Sequence, residues 1–328
     1  MIVGVPNHHD LYETATGWMN LAWSIAIDEA STFREIEFIF DDIRKEHGQD
    51  KAQEEIDKYW RAKTLNLNNS ISLLQQSLEI FLKAKIAEIS PYLLIAGDPQ
   101  SWPFINTSGQ VDFSEFKTID AIQLPRAAKI VSSTAISDGF FQIYARLRQV
   151  RNKIVHLNAS SINAEVGKIL TDILNAHKSL FPHEEWISFR RRYLESTGEY
   201  GDEEGLYIGD NYTNDKICGE LTTTIAEVSP KIARNMFGYD KRKTSLRCPT
   251  CLERRVKGIE EEWRFAQVKN NNTIKCAACL SIYTIDEYKI KIVEYFGYLG
   301  KEEQAAIASE TNKELRNCRI RHGAVAEP

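Results

Sequence analysis

The chain has 328 residues, of which 43% are hydrophobic and 27% charged, a composition typical of a globular protein with enough apolar residues for a core. No apolar run reaches the ~18 residues that a membrane-spanning helix needs, and the first residues lack the basic and apolar regions of a secretion signal. We therefore expect a cytoplasmic protein with no membrane association. The formal net charge of −5 is unevenly spread: residues 1–230 are acidic and residues 231–328 are basic. The basic part either contacts phosphate or reflects chance scatter of charge.

Residues 10–195 show the periodicity of helices. Residues 20–46 and 65–89 carry apolar side chains every three or four positions, which predicts amphipathic helices separated by the break "EHGQD". The core face predicted for the second helix consists of Leu67, Ile71, Leu74, Leu78, Phe81, Leu82 and Ile89. Three prolines and two glycines within Gly97–Pro125 predict a long connection after it. Helical periodicity resumes over 133–158 and again over 164–181, where Pro182 ends it.

The C-terminal part has a different texture. Residues 196–215 are acidic and rich in glycine, which predicts a linker or loop, and a helix broken at Pro230 follows. From Ser245 onward, the β-prone runs "WRFAQVK" and "SIYTI" alternate with cysteine pairs, before a last helix over 300–318. We predict a mainly α protein with a helical-bundle domain over 1–195. An acidic linker and connecting helix follow over 196–244, and a small α+β domain over 245–328.

The run "RNKIVH" places Arg151, Asn152 and His156 on one predicted helix. At about 100° of rotation per residue, Asn152 and His156 share a face roughly opposite the apolar seam, and Arg151 lies about 140° round from His156. Either the long arginine side chain reaches around the helix, or a second copy of the chain supplies it across a two-fold axis. The seam itself consists of Leu147, Val150, Ile154 and Leu157.

These residue types fit the chemistry of a phosphodiester. Six basic residues and one acidic residue lie between Arg126 and Lys153, which favours an anionic ligand. Histidine can transfer protons near neutral pH, arginine can stabilise the added charge of the transition state, and asparagine can orient the imidazole or a phosphate oxygen. Together they suffice for attack of an RNA 2′-hydroxyl on its own phosphodiester without a metal, which DNA cannot undergo.

The stretches "LLQQSLEIFLKAKI" and "LRQVRNKIVHLN", with an Arg-polar-x-x-x-His pattern, resemble the HEPN superfamily. Many of its members are metal-independent endoribonucleases in defence, toxin–antitoxin and RNA-processing systems. The resemblance covers residues 20–180, apart from the long connection at 97–125. It implies a helical bundle and a homodimer in which Arg151, Asn152 and His156 line a composite cleft, with RNA as substrate and a regulatory or antitoxin protein as partner. Because other members only bind nucleotides or proteins, a non-catalytic dimeric binding module remains an alternative, as does a merely solvated helix face.

Two Cys-x-x-Cys pairs predict a metal site. Cys248 and Cys251 are separated by 24 residues from Cys276 and Cys279, and the intervening stretch contains a predicted hairpin. This spacing places four thiolates around Zn²⁺ and resembles a zinc ribbon. Since all four ligands are sulfur, no position is open for water, and we expect a structural ion. The other two cysteines, Cys218 and Cys318, are expected to be ordinary thiols.

The region around the cysteines is basic, with 12 Lys and Arg against 5 Asp and Glu in residues 231–280. Trp263 and Phe265 lie on the predicted hairpin. Basic and aromatic residues together are typical of nucleic-acid binding. The alternative is a solvated surface whose aromatic rings pack in a small core, and the sequence does not separate the two.

Overall fold

The computed structural model describes residues 1–105, 107–132, 136–156, 165–197, 209–255, 263–270 and 272–323. Over these ranges the chain is mainly helical with a few short strands, which confirms the predicted mainly α class. It divides into two compact units, Met1–Pro182 and His183–Pro328. Within the described ranges, none of the helices combines the length and the apolar character of a membrane span.

The first unit is built on a hairpin of two long helices, α1 (His8–His47) and α2 (Gln49–Ala87). They join at Gly48, whose φ of 88° is a conformation that glycine adopts without strain. Two buried hydroxyl groups of α2 donate to carbonyls of α1, Ser70 to Ala22 at 2.7 Å and Ser77 to Ala15 at 2.6 Å. Their order shows that the two helices are antiparallel.

The hairpin core matches the predicted periodicity. Alanines recur along α1 at positions that are fully buried, which lets α2 approach closely. The predicted core positions of α2 are buried except for Ile89, which lies beyond the end of the helix and is 50% exposed. The buried apolar residues of the two helices are Ala15, Met19, Ala22, Trp23, Ala26, Ile27, Ala30, Leu67, Ile71, Leu74, Leu78, Phe81 and Leu82, among others.

Over the described residues, three further helices belong to the first unit: α3 (Leu124–Val131), α4 (Asp138–His156) and α5 (Val166–Leu180). Helix α4 packs against α2 and α5, and α5 packs against α1. The predicted long connection holds short 3₁₀ turns at Pro91–Leu94, Pro99–Ser101 and Phe113–Glu115. It also holds strand β2 (Val111–Asp112), which pairs in parallel with β1 (Ile2–Val3).

The second unit begins with α6 (Trp186–Thr197), α7 (Gly209–Glu227) and α8 (Pro230–Phe237). The sequence grouped α6 with the first domain. In the structure α6 belongs to the second unit, because Arg190 on α6 is buried against Glu220 on α7, with N···O distances of 3.1 and 2.7 Å. Helix α7 begins inside the stretch predicted as a linker, of which residues 198–208 lie outside the described part of the chain.

The rest of the second unit is a small α+β assembly. The short helix α9 (Pro249–Glu253) precedes three strands, and two helices, α10 (Ile285–Tyr295) and α11 (Lys301–Gly323), follow them. The strands β3 (Ala266–Val268), β4 (Thr273–Cys276) and β5 (Ile282–Thr284) form an antiparallel sheet in that order. A capping box between Thr284 and Glu287 begins α10 directly at the end of β5.

Candidate functional site

The four predicted cysteine ligands come together in the second unit. Cys248 and Cys251 flank the start of α9, whereas Cys276 ends β4 and Cys279 lies in the turn after it. Their sulfur atoms all lie within 4.8 Å of one another. The Sγ atoms of Cys248 and Cys279 are 3.4 Å apart, and those of Cys251 and Cys276 are 3.7 Å apart. This cluster could hold a metal ion.

Local backbone structure fixes both cysteine turns. Pro249 starts α9 immediately after Cys248, so that Cys251 lies one turn further on the same short helix. After Cys276, the chain reverses through Leu280, whose φ of 64° is positive, and the Leu280 amide donates to the Cys276 carbonyl at 3.1 Å. Each turn therefore holds its two sulfur atoms on one side.

Polar groups next to the cluster support it from outside. The Tyr283 hydroxyl lies 3.4 Å from the Cys248 sulfur and 2.6 Å from Thr250 Oγ1. The Cys279 sulfur lies 3.3 Å from the Ser281 hydroxyl. Hydrogen bonds to metal-bound thiolates orient the ligands and reduce their charge. The spacing of the cysteines does not indicate which residues form these hydrogen bonds, so the sequence did not predict them.

A fifth thiol lies at the edge of the cluster. Cys218, expected from the sequence to be an ordinary thiol, is fully buried on α7, and it raises the pKa of the Cys251 thiol. One turn earlier on the same helix, Asn214 Nδ2 is 3.5 Å from the Cys251 carbonyl. Helix α7, predicted to be a connecting helix, therefore packs directly on the first cysteine turn. Cys318 is buried on α11.

If all four cysteines of the cluster are ionised, their negative charges must be balanced by a cation. Three of the four are buried and Cys279 is half-buried. The adjacent Cys248 sulfur and burial raise the pKa of the Cys276 thiol well above its usual value. Four thiolates this close together repel one another unless a positive ion neutralises them.

The predicted catalytic residues lie at the C-terminal end of α4. Arg151 and Asn152 are both half-buried, and within the described residues neither side chain makes an ion pair or a hydrogen bond. His156 is the last residue of α4, and its side chain lies outside the described part of the structure. Leu147 of the predicted seam is buried, Val150 and Ile154 are half-buried, and Leu157 lies outside the described residues.

Helix α4 is held in place by polar contacts nearer its start. Arg146 forms an ion pair with Asp172 on α5, and the Tyr144 hydroxyl donates to the Ala121 carbonyl at 2.7 Å. Burial raises the pKa of Asp172, although Arg146 opposes that shift. Further along the helix, the side chains of Arg151 and Asn152 make no polar contact within the described residues.

The aromatic residues of the predicted hairpin are not equivalent. Phe265 is buried and its ring packs edge-on against Tyr239, with centroids 6.5 Å apart. It belongs to the core of the second unit, as the alternative interpretation held. Trp263 is half-buried.

Comparison of the chain with protein-family models, with curated proteins and with solved structures gives no match in any of the three. The function is therefore inferred from the chemistry of the residues themselves.

Proposed function

We propose that the protein is a metal-independent endoribonuclease whose reactive groups are Arg151, Asn152 and His156. The observation that supports this is the half-buried, uncommitted state of Arg151 and Asn152 among the described residues. A partly buried guanidinium without a carboxylate partner is unfavourable unless water or an anionic ligand satisfies its donors. Phosphate is a suitable ligand, because the planar fork of arginine binds two of its oxygens at once.

The roles of the three residues follow from their chemistry. The RNA 2′-oxygen forms a bond to phosphorus as the bond from phosphorus to the 5′-oxygen breaks, which gives a 2′,3′-cyclic phosphate and a 5′-hydroxyl. His156 accepts the proton of the 2′-hydroxyl or donates one to the departing 5′-oxygen. Arg151 neutralises the charge on the non-bridging oxygens, and Asn152 orients the imidazole or one of those oxygens.

A second copy of the chain completes the site in this proposal. Positions 151 and 156 lie about 140° apart around a straight helix, so side chains at these positions would converge poorly on one phosphate. If a two-fold axis relates two α4 helices, the arginine of one copy would lie opposite the histidine of the other. Two imidazoles in one cleft would also let one accept a proton while the other donates.

We further propose that the cysteine cluster binds one structural Zn²⁺ and that the second unit helps to hold RNA. Zinc–sulfur bonds of about 2.3 Å in a tetrahedron place neighbouring sulfurs about 3.8 Å apart. The spacings of 3.4 and 3.7 Å agree with this geometry. With four thiolates as ligands, the ion would stabilise a sheet that is too small to supply a large core of its own.

The test is cleavage of a mixed RNA substrate in EDTA by the purified chain and by Arg151→Ala and His156→Ala variants. We expect wild-type cleavage to persist in chelator and to fall by at least about 10²-fold in each variant. Zinc content is measured in the same samples, so that loss of the structural ion is not mistaken for loss of a catalytic metal. Analytical ultracentrifugation of the same preparations measures the dimer.

Matched control variants distinguish a loss of the proposed site from a general loss of charge or of folded protein. Arg126→Ala removes an exposed arginine of α3, and His9→Ala removes an exposed histidine of α1; neither should reduce cleavage. Because a regulatory partner would act in the cell, growth after induced expression is followed in parallel. Wild-type protein that neither cleaves RNA nor slows growth, but binds a nucleotide or a protein tightly, would instead identify the non-catalytic binding module.

A further inference from the structure

The sheet of the second unit has two chemically different faces, because side chains alternate along each strand. Cys276 and Ile274 point to one side, which carries the metal cluster. The register pairs Gln267 with Lys275 across β3 and β4, and Lys269 follows Gln267 by two residues. These three side chains therefore share the opposite face.

Gln267 joins this face to the segment 240–245. Its side chain is buried, accepts a hydrogen bond from the Asp240 amide at 2.9 Å and donates to the Asp240 carbonyl at 2.9 Å. It also donates to Ser245 Oγ at 3.2 Å and to the Lys243 carbonyl at 3.4 Å. These bonds hold Lys243 beside the sheet, next to the face that carries Lys269 and Lys275.

The charges on this face are mainly positive. Asp240 is bound by Arg234 at 3.0 Å and by Arg242 at 3.3 Å, which leaves both arginines committed. Lys275 contacts Glu185 at 2.8 Å, and Lys269 donates to the Gly238 carbonyl. The charged side chains of this face are five cations, Arg234, Arg242, Lys243, Lys269 and Lys275, and two carboxylates, Glu185 and Asp240.

The lysines also lie close enough to affect one another. Partial burial lowers the pKa of the Lys269 ammonium, and the charges of Lys243 and Lys275 lower it further, although the Asp240 carboxylate opposes this shift. Within the described residues the Lys243 ammonium makes no ion pair or hydrogen bond. An anion bound between these groups would relieve their repulsion.

We infer that Lys243, Lys269 and Lys275 form a surface that binds the sugar–phosphate backbone of RNA. This deepens the proposed function and rests on it for the identity of the ligand, since it names the face by which the second unit holds RNA. Arg234 and Arg242 pair with Asp240, whereas Lys243 has no ion pair within the described residues, and an ammonium binds phosphate as a point charge. Ile282 pairs with Lys275 in the register and is 64% exposed, so an apolar contact for a base or sugar adjoins the cations.

The test measures binding of a 2′-O-methyl RNA, which lacks the nucleophile and so cannot be cleaved. Fluorescence anisotropy gives the affinity of the full chain at several salt concentrations. Each phosphate contact contributes a slope of about −0.7 to the plot of log affinity against log salt for a single strand. The triple variant Lys243→Gln, Lys269→Gln, Lys275→Gln should therefore reduce the magnitude of the slope by about 2.

Three controls keep this result interpretable. The variant Lys289→Gln, Lys291→Gln, Lys301→Gln removes the same charge from α10 and α11 and should leave the slope unchanged. Replacing Lys243, Lys269 and Lys275 by arginine preserves the charge and should preserve the slope. The single variant Lys243→Gln, which breaks no contact of that ammonium within the described residues, should lower the slope by about 0.7 even if the triple variant folds poorly.

The outcomes separate this inference from the ribonuclease proposal. Failure of the wild-type chain to bind the probe, or an unchanged slope in Lys243→Gln and in the triple glutamine variant, overturns the lysine surface. Displacement of the probe by polyglutamate at equal charge concentration would assign the face to an acidic protein instead. A chain that binds the probe with the expected slopes but never cleaves RNA would overturn the nuclease and leave the surface standing.

Discussion

The buried ion pair between Arg190 and Glu220 gives a sharp test of how the second unit is assembled. Their side chains are 1% and 5% exposed, and Lys216 lies 4.0 Å from the same carboxylate. The change Glu220→Gln keeps the shape of the side chain and removes only its charge. It removes the carboxylate charge that faces the buried Arg190 guanidinium across two hydrogen bonds.

The expected cost follows from that burial. Breaking a buried pair by removing one partner costs about 3–5 kcal/mol, because the remaining charge stays desolvated. The pair of Arg192 with Glu184 serves as the matched control, since Arg192 lies on the same helix and the two side chains are 65% and 22% exposed. For Glu184→Gln we expect a loss below about 1 kcal/mol.

The assay is hydrogen exchange of the α6 and α7 amides, which reports on the second unit separately from the first. A loss of 3–5 kcal/mol corresponds to exchange faster by about 10²- to 10⁴-fold. In the double variant Arg190→Met, Glu220→Leu apolar side chains replace both members of the buried pair, and most of the protection should return. Exchange in Glu220→Gln within about fivefold of wild type would refute the claim that this pair joins α6 to α7.

Three further predictions concern the metal cluster, an acidic residue and the α1–α2 hairpin. Cys276→Ser should abolish metal binding and the protection of the β3–β5 amides, whereas Cys318→Ser should retain both; metal content and hydrogen exchange measure this. Arg242 and Arg234 hold the pKa of Asp240 at about 2. Since this is below the unfolded value of about 3.9, its stabilisation is present above pH ~5 and is lost as the pH falls towards 2, and Asp240→Asn should remove that dependence in urea titrations. Ser70→Ala should cost about 1 kcal/mol in urea denaturation, because it deletes a buried bond between helices, and Ser72→Ala, which bonds only within α2, should cost less.

The helices and the cysteine ligands could be predicted because their signals are local. An apolar residue every three or four positions indicates a helix even when the segments that pack against it are unknown. The predicted core positions of α2 from Leu67 to Leu82 are buried, as that pattern predicts. Two Cys-x-x-Cys pairs restrict the geometry of their own turns, so the sequence could name Cys248, Cys251, Cys276 and Cys279. The roles of Arg151, Asn152 and His156 remain a prediction from residue chemistry and family resemblance.

Other features depend on residues far apart in the chain, and only the tertiary structure decided them. Helix α6 belongs to the second unit because Arg190 meets a carboxylate thirty positions away. Asn214 reaches the Cys251 carbonyl because α7 packs on the first cysteine turn. Phe265 enters the core although Arg264 precedes it in a basic region of the chain. Contacts of this kind cannot be predicted from a short stretch of sequence. Burial, strand register and charge pairing each depend on which distant segments of the chain meet.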